Sequence, residues 1–382
     1  MRVDRLGLQD FRNYDRADVS FEAGLNLIVG RNAQGKTNLL EAIYCLTGFA
    51  SPRAIDAVLV RTGAERGIVH GEITRGGRAT RIDLELRPGR GRRALVNRAG
   101  LPKGHSLGEV LAAVFFGPDE LALIKGSPSE RRRFLDELVV KLKPAREGIR
   151  KEWDRVLRQR NALLRSGAPA RVSGAPDDSL AVWNEAFVKA GAALTVARLD
   201  ALRALAPFVA DRYGSIAGSG TVDLAYASTW LADEPLASTT ELSTDEVGER
   251  LATAVETMQP RELERGQSLV GPQRDDVAVT LSMADARQVE ARTHASQGDQ
   301  RTAALALKLA EHDVLTAELD EQPVLLLDDV FSELDPTRRA WLAKAVSEMD
   351  QALVTTTAAE DLDLSDVRAV FEVSSGRVER DE

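Results

Sequence analysis

LNLIVGRNAQGKTNLLEAI, residues 25–43, is the stretch whose reading decides the fold. Its first five residues are apolar and run into a glycine, which predicts a short buried strand. From Lys36 to about Thr47 the apolar residues recur at helical spacing. Between the two, GRNAQGKT at residues 30–37 fits the phosphate-loop pattern at every specified position, in the strand–loop–helix context that gives the pattern its meaning. Gly30 and Gly35 let the backbone turn several N–H groups toward one phosphate, around Arg31, Asn32, Ala33 and Gln34. Lys36 places a positive charge on the outer phosphates, Thr37 offers a hydroxyl to Mg²⁺, and Asn38 joins the candidate ATP contacts in the first turn of a helix whose positive end faces the same anion. ATP with Mg²⁺ is the expected ligand.

Far downstream, PVLLLDD reads as an apolar strand ending in Asp328 and Asp329, which would deliver two carboxylates to the C-terminal edge of a parallel sheet. Asp328 suits Mg²⁺; Asp329 suits orienting or deprotonating the attacking water. ASQGDQRT, residues 295–302, precedes a long helix; Ser296 can cap it, and Gly298 leaves room for a phosphate at its N-terminus.

Outward from these motifs, strand patterns fill the first third, at residues 3–8, 19–21, 67–73, 81–86 and 94–97. Helical spacing dominates from about Glu130 to Met258, broken by loops at 166–178 and 214–220. Strand–helix–strand order then returns, with strands at 277–281 and 323–328 and near Leu353 and Val370, and helices at about 298–319 and after Pro336. The expected architecture is α/β, with parallel strands, flanking helices and an inserted α-helical domain. Its boundaries fall at 1–125 (first half of the head), 126–268 (insert) and 269–382 (second half).

The 382 residues are 43% hydrophobic and carry a formal net charge of −9. No run reaches the roughly eighteen apolar residues of a membrane span and no secretory signal opens the chain, so a cytoplasmic protein without membrane attachment is expected. The single cysteine, Cys45, reads as a buried small hydrophobe rather than a reactive thiol. Against the acidic average stand two basic runs, from Arg75 to Lys103 and from Lys125 to Arg165. Such runs are solvated faces as often as nucleic-acid contacts.

A phosphate loop, an S-x-G turn, a strand ending in DD and the following SELD resemble the heads of ABC-type and SMC-like ATPases. Over nearly the whole chain the sequence is similar to the RecF family of bacterial recombination and gap-repair proteins. The motifs carrying the resemblance are LQDFRNY at 8–14, GRNAQGKTNLLEAI at 30–43, FGPDELALIKGSPSERRRFLD at 116–136, GPQRDD at 271–276, ASQGDQRT at 295–302 and LLLDDVFSELD at 325–335. The resemblance implies that Arg12 and Asn13 approach the α-phosphate side of the nucleotide. It also implies that Ser296, Gln297 and Gly298 close in trans on ATP held by a second copy, with residues 333–335, Asp335 included, lining the joint. It further implies an ATP-induced homodimer on gapped or junction duplex DNA, slow DNA-stimulated hydrolysis for release, and support of recombinase loading, replication-fork recovery and the SOS response, with RecR and RecO as partners.

Departures from the wider pattern point to slow turnover. Asp329 stands where many ABC heads carry a catalytic glutamate, Thr357 occupies the switch-histidine position, and Gly117, Pro118, Asp119 and Glu120 occupy the glutamine loop. Gln273 in GPQRDD replaces a usual histidine, and a structural reading of that motif stays as open as a functional one. With the resemblance, the basic runs become candidate DNA contacts, led by Arg90, Arg92, Arg93, Arg131, Arg132 and Arg133. Aromatic residues are 5% of the chain and are not interleaved with the cations, so backbone-phosphate contact to duplex is favoured over base stacking. Two alternatives are a transporter's nucleotide-binding subunit, against which the insert and Thr357 speak, and an ATP-dependent structural dimer in which hydrolysis is incidental.

Overall fold

In the computed structural model, residues 1–102, 105–170, 178–283, 287–357 and 366–381 are described. The first segment supplies strands β1 (Arg2–Phe11), β2 (Tyr14–Ser20), β3 (Gly24–Val29), β4 (Gly67–Arg75), β5 (Arg78–Arg87), β6 (Gly91–Val96), β7 (Ala99–Gly100) and β8 (Ala113–Phe116). The middle supplies β9 (Thr221–Ala227), β10 (Leu236–Ala237), β11 (Asp276–Ser282) and β12 (Gln288–Glu290), and the last part β13 (Val324–Asp328), β14 (Gln351–Thr356), β15 (Val367–Ser374) and β16 (Arg377–Asp381). They form two compact units: residues 1–121 with 304–382, and residues 122–303.

The first unit holds two six-stranded sheets. One has the order β16-β15-β3-β14-β13-β8 and is parallel except for β16; the other, β2-β1-β4-β5-β6-β7, is antiparallel. Every residue of β8, β13 and β14 is buried, which is why AVFF and VLLL read as continuous apolar runs, while β14 carries the buried polar residues Gln351, Thr355 and Thr356 at its ends. β4 alternates between buried and half-buried residues, with Val69 and Ile73 in the core. Its outer face pairs opposite charges across strands, as Glu72 with Arg81 on β5, and Glu85 of β5 faces Arg93 of β6. The helix Lys36–Cys45 packs on β8, β13 and β14 of one sheet and β1 of the other; its Leu39, Leu40 and Ile43 are fully buried in the shared core. Cys45 is buried there too, and burial pushes its thiol up to about 12, as expected of a packing residue.

The second unit contains the helices Pro128–Leu142, Glu147–Ala170, Asp178–Ala217 and Thr244–Arg265, and also an antiparallel sheet of order β10-β9-β11-β12. Its compact boundary falls at Ala303 rather than 268. β11 begins at Asp276 and pairs along its length with β9, so the strand pattern at 277–281 belongs to the insert and not to the returning head. The insert is therefore helical with a sheet of its own. Periodicity located β11 but not its partner, because TVDLAYA is a short strand within a stretch dominated by helical spacing. The expected loop at 166–178 begins later, since the helix Glu147–Ala170 covers its first residues; residues 171–177 lie outside the described residues, as does Lys103.

Two polar networks are buried in this unit. Arg160, fully buried, donates to Glu262 at 2.6 Å, Ser268 at 2.6 Å and Asn184 at 2.8 Å, and stacks over Phe187 at 4.5 Å. Asp275 of GPQRDD accepts from Tyr226 at 2.7 Å and Trp230 at 2.8 Å. Burial pushes its carboxyl up to about 6. Arg198 joins Asp136 to the Pro272 carbonyl, and Gln273 bonds the Val270 carbonyl at 2.7 Å. Each of these bonds lies within the second unit, which favours the structural reading of GPQRDD. Removing one partner of the fully buried ion pair strands the other charge. Arg160→Ala is expected to cost about 3–5 kcal/mol in denaturant-induced unfolding, more than Arg160→Met with Glu262→Leu together.

Candidate nucleotide-binding site

β3 ends at Val29, and the chain turns into the loop at Gly30, where an added Cβ would lie 2.3 Å from the Val373 carbonyl oxygen of neighbouring β15; only glycine fits. Ala33 (φ 64°) and Gly35 (φ 120°) then adopt left-handed backbone, which turns successive N–H groups inward as an anion-binding nest requires. Beneath the loop lies the β1–β2 turn. Asn13 donates to the Gln34 carbonyl at 2.8 Å and accepts from Asn38 at 2.7 Å, while the buried Tyr14 hydroxyl donates to the Gly35 carbonyl at 3.0 Å. From the far side, the Ser375 N–H donates to Gln34 Oε1 at 2.7 Å. The loop is clamped by segments from both ends of the chain.

Lys36 Nζ donates to the carbonyls of Gly30 at 2.6 Å and Arg31 at 3.2 Å. Burial lowers its pKa, partly opposed by the charges of Asp329 and Asp328. Thr37 Oγ1 donates to Asp328 Oδ1 at 2.8 Å, and Thr355 Oγ1 of β14 donates to the same oxygen at 2.8 Å. Strand order explains this meeting: β14 lies between β3 and β13, so Thr355 sits between the phosphate loop and the acidic strand end. The role of neither Thr355 nor Tyr14 was identifiable from sequence: Tyr14 ends the LQDFRNY segment, but its bond to the Gly35 carbonyl, like that of Thr355 to Asp328, is a long-range contact.

Asp329 has φ 52° and is held by its N–H to Thr355 Oγ1 at 2.9 Å, with its own carbonyl accepting from Ser332 at 2.8 Å. Its Oδ1 is buried without a hydrogen-bond partner, and burial raises its pKa. A carboxylate near Lys36 with an unused oxygen would suit a water-orienting group. For Mg²⁺, Thr37 and Asp328 offer hard oxygen donors. Among the described residues no cluster of three or more His, Cys, Asp or Glu could hold a metal ion, and a Mg²⁺ held by one carboxylate and one hydroxyl would draw its other ligands from phosphate and water. The residues present fit it on those terms.

Arg12 lies at the same turn but is engaged in a bidentate pair with Glu41, at 2.7 and 2.8 Å. Thr357 follows β14 directly and is exposed. In the second unit Ser296 caps the helix Gln297–Leu319, accepting from the Asp299 N–H at 3.2 Å and donating to its carboxylate at 2.7 Å. Ser296 and Gln297 are exposed, and Gly298 is half-buried. Asp335 caps the helix Pro336–Ser347 through the N–H groups of Thr337 and Arg338, both at 3.0 Å. The Arg338 N–H bond is the main cause of its lowered pKa.

The arginines divide. Arg90 and Arg93 are exposed on the β5–β6 hairpin. Arg92 instead forms a bidentate pair with Asp56 and donates to the Phe49 carbonyl. Arg131 is 6% exposed and paired with Asp276 at 2.7 and 2.8 Å, also reaching the Gly126 carbonyl at 3.1 Å. Arg132 is half-buried, donating to the Asp275 carbonyl at 2.6 Å; Arg133 is exposed beside Glu130 at 2.9 Å. Arg92 and Arg131 are thus structural pairs rather than free surface cations, a correction that burial and partner carboxylates make necessary.

Residues 2–378 match the family of RecF/RecN/SMC N-terminal domains. The chain is 41% identical to the DNA replication and repair protein RecF of Streptomyces avermitilis over 100% of both chains. It is 43% identical to that of Acidothermus cellulolyticus over 94% of this chain and 95% of the relative. Among solved structures it is similar to the recombination mediator protein RecF with ATP, of the RecFOR pathway (28% identity, TM-score 0.87, 100% and 97% of the two chains). An SMC head domain from Pyrococcus furiosus shares the fold at 14% identity and TM-score 0.54, over 99% and 95% of the two chains.

Because no side chain fits at residue 30, Gly30→Ala is expected to displace the loop and abolish nucleotide binding while the protein remains folded. Nucleotide titration together with a thermal melt checks this.

Proposed function

The chain belongs to the RecF family of the RecF/RecN/SMC group, and from that premise we propose that it binds ATP with Mg²⁺ at the loop of residues 30–37 and uses it to pair two copies on DNA during repair. The carrying observation is the convergence of Lys36, Thr37, Thr355, Asp328 and Asp329 at one end of the parallel sheet, supported by the ATP-bound relative. Lys36 and the loop N–H groups hold the phosphates; Thr37 and Asp328 would hold Mg²⁺, which when bound would supply charge stabilisation for phosphoryl transfer. Asp329 orients the attacking water. Its side chain is one methylene shorter than glutamate, and Thr357 lacks an imidazole's proton chemistry, so turnover is slow and serves release.

The exposed Ser296 and Gln297, with Gly298, at the N-terminus of a 23-residue helix are suited to receive the γ-phosphate held by a second copy. A ligand shared between subunits gives the dimer an affinity that hydrolysis removes. Asp335 lines the joint as the cap of its helix. DNA contact falls to the exposed Arg90, Arg93 and Arg133, with Arg132 secondary. RecR and RecO are partners by the family's logic, and fork recovery and the SOS response are the settings.

Light scattering of the full chain with ATP, with ADP and without nucleotide, each with and without gapped duplex, is expected to give a dimer with ATP alone. Ser296→Arg should keep ATP binding and lose dimerisation, whereas Lys36→Ala should weaken both. A chain that stays monomeric with ATP refutes the shared site.

For DNA, replacing Arg90 and Arg93 by alanine should weaken binding to all sequences alike. The slope of log affinity against log salt should become shallower by about one for each arginine–phosphate pairing removed, as read from anisotropy titrations over a salt series. Unchanged slopes would move the DNA-binding surface elsewhere.

A further inference from the structure

Glu41 is a fully buried carboxylate that neither the phosphate loop nor the acidic strand end uses. It lies on the helix Lys36–Cys45, one turn beyond Thr37. Its Oε2 accepts from Arg12 Nε at 2.7 Å and its Oε1 from Arg12 Nη2 at 2.8 Å, so the guanidinium is gripped along one edge. Oε1 also accepts the Ser51 hydroxyl, whose oxygen in turn accepts the N–H groups of Arg53 and Ala54, both at 3.0 Å. Arg12 itself sits at φ 54°, its N–H donating to the Leu59 carbonyl at 2.8 Å; among the described residues its remaining Nη1 makes a long contact, 3.4 Å, to the Val58 carbonyl.

A buried acid is a poor choice for filling core volume, because an apolar residue of similar size does so without desolvating a charge. What the acid adds is direction. With Nε and Nη2 committed to Glu41, the Nη1 edge is the part of Arg12 left for an anionic oxygen. The pairing offsets the cation's charge, so geometry and not net charge is what Arg12 supplies.

We propose that Glu41 is a positioning residue for nucleotide recognition: it presents the Nη1 edge of Arg12 to the α-phosphate side of the nucleotide and ties the segment after the helix, through Ser51, to the same turn. The inference rests on Arg12 being a nucleotide contact and adds the buried group through which that contact is set.

ATP and ADP titrations of the full chain test it with Arg12→Ala, Arg12→Lys, Glu41→Gln and the double variant Arg12→Ala/Glu41→Gln. Arg12→Ala is expected to weaken both nucleotides roughly tenfold, and Glu41→Gln by a comparable factor. The double variant should bind no more weakly than Arg12→Ala alone, a non-additivity that general loosening of the helix would not produce. Arg12→Lys, a point charge that cannot span both carboxylate oxygens, should behave like Arg12→Ala. Overturning results are wild-type affinity in Glu41→Gln, full additivity in the double variant, or wild-type affinity in Arg12→Lys. Should Glu41→Gln fail to fold, the Arg12→Lys result decides alone. Wild-type affinity in Arg12→Ala would instead sink the assignment of Arg12, and the inference with it, while leaving ATP binding at the loop intact.

Discussion

Thr37 and Asp328 are 291 residues apart in sequence, and one carboxylate oxygen joins them. Asp328 Oδ1 accepts the Thr37 hydroxyl and the Thr355 hydroxyl together, in a place where Asp328 is 4% exposed. A buried carboxylate without donors would be costly, so the two hydroxyls stabilise the acid while the acid fixes the hydroxyls. That mutual dependence requires β3, β14 and β13 to lie in one register, with Leu27 opposite Val354 and Val354 opposite Leu327. The apolar interiors of these strands secure the register, and the polar groups at their C-terminal ends inherit it.

The same sheet end collects groups with complementary tasks. Lys36 is a buried ammonium whose proton is loosened by desolvation, and Asp329 is a carboxylate whose proton is held more tightly for the same reason. Burial thus moves both groups toward neutrality and leaves an unpaired carboxylate oxygen beside the loop.

Charge elsewhere in the molecule is largely internal. Arg75 pairs with Glu321, Arg81 with Asp83, Arg87 with Glu85, Arg92 with Asp56 and Arg131 with Asp276. The second basic run likewise places Arg146 on Asp200, Lys151 on Glu147 and Arg160 on Glu262. Two runs that look like continuous cationic faces in one dimension become ladders of ion pairs in three. This reconciles them with a net charge of −9 and, among the described residues of the candidate set, narrows the exposed cations to a hairpin and a helix surface.

The sequence by itself determined the strand–loop–helix around residue 30, the acidic strand end at Asp328 and Asp329, the cap at Ser296 and the family, because each is written in contiguous residues under local steric rules. Glycine was required at residue 30, and periodicity marked the strand before it. Only the tertiary structure decided which side chains complete the site. Thr355 and Tyr14 are ordinary residues until parallel pairing and the β1–β2 turn bring them against Asp328 and the loop, and Glu41 until that turn brings Arg12 onto it. It also decided that the insert carries its own sheet, since β9 and β11 are separated in sequence by a long helix and pair only once the chain has folded back. The fate of each arginine, paired or free, depended on carboxylates from other strands and helices, and no run of charge along the chain contains that information.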